Sequence, residues 1–153
     1  MKHSPASVVT RCPPPRACCD RRCGMTDAAP PLRIGVCDYG VGNLFSVQRA
    51  LREVGVVPAV TCDAATLLRS DGVVLPGVGA FGAAMDALQD AGLVAVVMEL
   101  VERGIPLLGV CLGFQLLFEE SEESGGRPGL GLLDGRVRRL DARRGRVPHM
   151  GWN

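Results

Sequence analysis

Lysine is nearly missing from this chain. Lys2 is the only one in 153 residues, so arginine supplies almost all the positive charge. The formal net charge is only +1, which removes the electrostatic reason to expect nucleic acid, an anionic membrane or a strongly charged macromolecule as partner. No run approaches the roughly 18 uninterrupted apolar residues of a membrane span. No apolar stretch follows Lys2, so no signal peptide is legible and a reduced, cytoplasmic setting is expected. Histidine is scarce as well: His3 and His149 are the only two. What is present, 47% hydrophobic and 22% charged residues, fits one soluble globular domain with a real core.

Seven cysteines could suggest disulfides or metal, but four of them (Cys12, Cys18, Cys19, Cys23) fall in the first 24 residues, among prolines and arginines. Their spacing, C-x5-C-C-x3-C, lacks the paired C-x2-C knuckles of a zinc site, so no metal is expected. Residues 1–31 show no period of 2 or 3.6 and read as a disordered leader. Met25 is an alternative start, with 1–24 an upstream over-read. Residues 32–153 form the domain.

From Leu32 the pattern is regular. "LRIGVCD" (32–38), "VPAVTC" (57–62), "GVVLPG" (72–77) and "IPLLGV" (105–110) read as short buried strands. Between them lie helical stretches: 44–55, with Leu44, Val47, Ala50, Leu51 and Val54 on one face; 81–104, broken near Gly92; and 112–123 after the fourth strand. A further strand is expected near 135–140. Short apolar strands alternating with helices predict an α/β fold, a mostly parallel sheet buried on both faces and flanked by helices.

Chemistry in such folds collects at the carboxyl ends of the strands, and Cys111 in "GVCLG" (109–113) stands there. Gly109 and Gly113 would permit a strained turn and close substrate approach. A helix N-terminus behind the thiol favours the thiolate, and the Leu112 N–H could donate to a developing oxyanion. Residue types alone leave a second reading open, since free cysteine is also among the most buried residues.

The wider text separates these. "GVCLGFQLLFEESEE" (109–123) resembles the active-site segment of class I (triad-type) glutamine amidotransferases. "DYGVGN" (38–43), "PGVGAFG" (76–82) and "VPHMGWN" (147–153) are similar to the glutaminase subunits of imidazole glycerol phosphate synthase. The resemblance runs from about Arg33 to Asn153 with the motifs in order. A cysteine elbow alone would also fit deglycases or stress-type peptidases, but these do not explain "DYGVGN" or "PHMGWN".

The resemblance implies that Cys111 attacks the carboxamide of glutamine, expels ammonia and forms a thioester that water hydrolyses. Leu112, together with Val78 and Gly79, would supply the oxyanion N–H groups. Gln115 and Glu123 match contacts to the substrate glutamine, although an acidic run such as the one holding Glu123 ordinarily marks a solvated surface. Asn43, Trp152 and Asn153 match positions facing a cyclase partner in a heterodimer that receives the ammonia. No cofactor is implied.

The family's His-x-Glu pair, which activates the thiol, lies downstream of "VPHMGWN", where this sequence stops. His3 falls in the leader, and His149 matches a non-catalytic position. The expectation is therefore a C-terminally truncated copy, inactive by itself, whose family function belongs to the full product. The alternative is a short form that acts only by binding the cyclase.

Overall fold

A computed structural model describes residues 30–141. Residues 1–29 of the expected leader, with its four cysteines, and the positions His149, Trp152 and Asn153 lie outside the described residues.

Glycine-bearing turns follow the first and third strands, 38–43 after one and 78–80 after the other. Strand β1 (Arg33–Cys37) leads to α1 (Leu44–Glu53), then β2 (Val57–Thr61), α2 (Ala64–Leu67) and β3 (Gly72–Gly77). Helices α3 (Phe81–Asp90) and α4 (Leu93–Glu102) follow, separated as expected at Gly92, whose φ of +68° ends one helix and admits the next. Strand β4 (Leu107–Cys111) completes a parallel sheet of order β2-β1-β3-β4. The order reverses at the β1/β3 boundary. That boundary is the switch point where α/β sheets open a crevice at their carboxyl ends.

One face of the sheet carries the main core. Cys37, Val73 and Leu75 pack with Leu67, Phe81, Leu88, Leu93, Val97 and Leu100 from α2, α3 and α4. Burial of each such leucine or phenylalanine is worth about 1.5–3 kcal/mol. Val36 and Val74 alternate with these strand residues and are buried on the opposite face.

That opposite face departs from the expectation of burial on both sides. Leu108 is 59% exposed and Val110 38%, because among the described residues no helix covers β4 there. Helix α1 is also less buried than its pattern predicted. It packs along the outer strand β2, so Leu44, Val47 and Leu51 are half-buried while Ala50 and Val54 are exposed.

The expected helix over 112–123 is the main correction. Only Leu112–Gln115 is helical (α5), and the chain then turns into β5 (Phe118–Ser121). The carbonyls of Leu116, Leu117 and Phe118 accept N–H groups from residues 130–133, so later chain captures the backbone that the helix would have used. After a 3₁₀ turn (Glu123–Gly125), β6 (Arg127–Pro128) and β7 (Leu133–Val137) flank β5 in a small second sheet, order β6-β5-β7. The strand expected near 135–140 is thus β7, two residues earlier. No helix among the described residues is long and apolar enough to cross a membrane.

Candidate active site

Three loops meet the carboxyl edge of the main sheet: 38–43 after β1, 78–80 after β3, and the abrupt turn at Cys111 after β4. Cys111 pairs with Gly77 in the β3–β4 register, so the segment beginning at Val78 leaves the sheet one strand spacing, about 4.8 Å, from the cysteine.

Cys111 is the only non-glycine residue with positive φ among the described residues (φ 56°, ψ −119°). This backbone conformation costs a residue with a Cβ of order 1–3 kcal/mol. It persists because its surroundings leave the chain no alternative. A Cβ on Gly113 would lie 1.9 Å from the Leu75 carbonyl oxygen, one on Gly109 2.5 Å from Phe114 Cα, and one on Gly77 2.5 Å from the Gly113 N. Three glycines thus let β3, β4 and α5 close together beneath the cysteine. The sequence pointed to Gly109 and Gly113. Gly77, read there as the end of a strand and as part of "PGVGAFG", is the third member, and its packing role was legible only across the strand pair.

The reading of Cys111 as a buried hydrophobe is excluded: its residue is exposed. Among the described cysteines Cys37 is the buried one. It is fully enclosed, and burial pushes its pKa up to about 12, which keeps it protonated and unreactive. Cys62 is exposed just past the end of β2, separated from the elbow by both β1 and β3.

The Leu112 N–H heads α5, where a helical N–H has no acceptor within its own helix. The expected dipole behind the thiol is, however, that of a single turn. Val78 is half exposed, and Gly79 (φ +89°) stands in open space. Gln115 ends α5 and is partly buried. Asn43 accepts the Ser46 N–H at 3.2 Å and so caps α1.

Glu123 is not a free surface carboxylate. One oxygen accepts the N–H of Phe81 at 3.0 Å, capping α3, whose Ala80 offers no side-chain acceptor. Beside it Arg127 lies over Gly82 and pairs with Asp86. Residues 123–127 therefore hold the helix that follows the 78–80 loop. Acidic character signalled surface at Glu123, and the capping partner 42 residues away was not legible.

Among the described residues no group of three or more His, Cys, Asp or Glu could hold a metal ion. Those residues also contain no histidine.

Known proteins agree with this geometry. The imidazole glycerol phosphate synthase subunit HisH of Moorella thermoacetica is 57% identical over 120 residues, and that of Bacillus cereus strain G9842 is 54% identical over 120. In both cases the match covers 78% of this chain and 57% of the relative, so the chain spans little more than half the length of these curated relatives. A crystal structure of a glutamine amidotransferase superposes with a TM-score of 0.59 at 25% identity, covering 69% of this chain and 56% of that one. A peptidase E protein from Listeria monocytogenes superposes with a TM-score of 0.55 at 12% identity, covering 67% of this chain and 63% of that one, a likeness of fold alone. Residues 35–153 match the family Glutamine amidotransferase class-I. With the strained cysteine elbow, its glycine bed and the facing loop in place, the chain belongs to the class I glutamine amidotransferases.

Proposed function

We propose that this chain is the nucleophile-bearing part of a glutaminase subunit of imidazole glycerol phosphate synthase. It would release ammonia from glutamine for a cyclase partner in histidine biosynthesis. The observation that carries the reading is the exposed Cys111, strained on its elbow and registered against Gly77.

The Cys111 thiolate adds to the glutamine carboxamide carbon, and the oxyanion is received by the N–H groups of Leu112 and of the Val78–Gly79 segment. Collapse expels ammonia and leaves a γ-glutamyl thioester, which water hydrolyses through a second oxyanion to glutamate. The proton relay needs a histidine from outside the described residues. Gln115 and the second oxygen of Glu123 would hold the substrate, the carboxylate facing its α-ammonium group. Asn43, Trp152 and Asn153 would face the cyclase in a cytoplasmic heterodimer. No cofactor enters this sequence of steps.

The test is glutamine-dependent release of glutamate and ammonia by the complete gene product mixed with its cyclase, compared with Cys111→Ala. Turnover abolished by the substitution supports the reading. Cyclase binding without any turnover would favour the partner-only role instead.

A further inference from the structure

The segment proposed to hold the oxyanion is secured at both ends by side chains from elsewhere in the fold. At its far end the Phe81 N–H is held by Glu123. At its near end the buried Tyr39 donates its hydroxyl to the Pro76 carbonyl at 2.5 Å. Between them Val78 is half exposed and Gly79 meets nothing.

The Tyr39 contact stands where the sheet ceases to provide one. The β1–β3 ladder ends at Val36↔Val74, and Pro76 has no N–H with which to extend it. Beyond that point the chain after β1 is brought against Pro76 by Gly42: a Cβ there would meet the proline ring carbons at 3.2 Å, and the residue's φ is +133°. Tyr39 thus takes over the role of a ladder hydrogen bond. Burial and the neighbouring Cys37 push its pKa up to about 12, so the hydroxyl stays a donor at neutral pH. It is the only tyrosine in the chain.

We propose that Tyr39 is a positioning residue, its hydroxyl fixing Pro76 so that the Val78–Gly79 backbone stands at the distance an oxyanion on Cys111 requires. This rests on the glutaminase reading above. Losing an oxyanion donor outright costs about 10²–10³ in kcat, and slackening its anchor costs less.

The experiment is Tyr39→Phe in the complete gene product with its cyclase, followed by glutaminase kinetics and thermal unfolding. The expected result is kcat lowered about tenfold with the KM for glutamine within about twofold, the signature of an interaction strengthened only in the transition state. Unchanged kcat overturns the proposal, as does a raised KM at constant kcat, which would place the hydroxyl in substrate binding. A variant that does not fold also overturns it, since the hydroxyl would then be a requirement of folding. If the unsubstituted protein releases no ammonia, the glutaminase reading itself fails, and that result is read separately.

Discussion

Gly113 lies so close to the Leu75 carbonyl that a Cβ on it would be 1.9 Å from the oxygen. The obstacle is backbone on both sides, so neither partner can rotate away. Gly113→Ala should destabilise by about 3 kcal/mol or more, the upper end of overpacking costs, read as a lower urea midpoint. Gly109→Ala, facing Phe114 backbone at 2.5 Å, should behave alike.

The strain at Cys111 gives a prediction of opposite sign. Glycine tolerates positive φ without steric cost, so Cys111→Gly should be more stable than Cys111→Ala by about 1 kcal/mol, although glycine elsewhere is the less stable choice. Equilibrium urea unfolding of the pair measures this. Equal stabilities would mean that the elbow is relaxed.

Cys37 and Cys111 end strands β1 and β4 of one sheet, on either side of β3, yet should differ sharply in reactivity. With its pKa near 12, Cys37 exists as thiolate in only about one molecule in 10⁴ at pH 8, and it is enclosed besides. A glutamine-mimicking electrophile should label Cys111 and spare Cys37 and Cys62 in peptide mass mapping. Equal labelling of all three would contradict a formed site. The raised pKa also predicts a pH dependence. The folded state holds the Cys37 proton more tightly than the unfolded chain, so this contribution is complete below about pH 9 and is lost as pH rises toward 12. Urea midpoints should fall over that range, and less steeply in Cys37→Ala.

The main sheet was legible because its strands are apolar runs bounded by glycine or proline, and the helix break at Gly92 because glycine marks it. The elbow was legible for the same reason: small residues flank a cysteine at a strand end. Residues 116–121 were not. Their text favours a helix, but the groups that decide their backbone, the N–H donors of 130–133, come from later in the chain, and tertiary pairing overrides propensity. Helix α2 was also missed, although Asp63 caps it through the Thr66 N–H, a local signal within one turn. Tyr39, Gly77 and the capping role of Glu123 depend on contacts between segments far apart in sequence, which no periodicity reports.

Glu123 should separate stability from binding. Glu123→Ala loses the acceptor for the Phe81 N–H and should cost about 1 kcal/mol. Glu123→Gln keeps an acceptor while removing the charge proposed to face the substrate ammonium. Its urea midpoint should stay near that of the unsubstituted protein while the KM for glutamine rises about tenfold or more. A large stability loss in Glu123→Gln with unchanged KM would assign the residue to the cap alone.

The central claim is that Cys111 is the nucleophile that takes the glutamyl group. The most direct measurement is intact and peptide mass spectrometry of the complete gene product, acid-quenched during turnover with glutamine in the presence of its cyclase. The account predicts one γ-glutamyl group, labile to hydroxylamine, on the peptide carrying Cys111. Glutamine turnover with that peptide unmodified, and undiminished in Cys111→Ser, would contradict it.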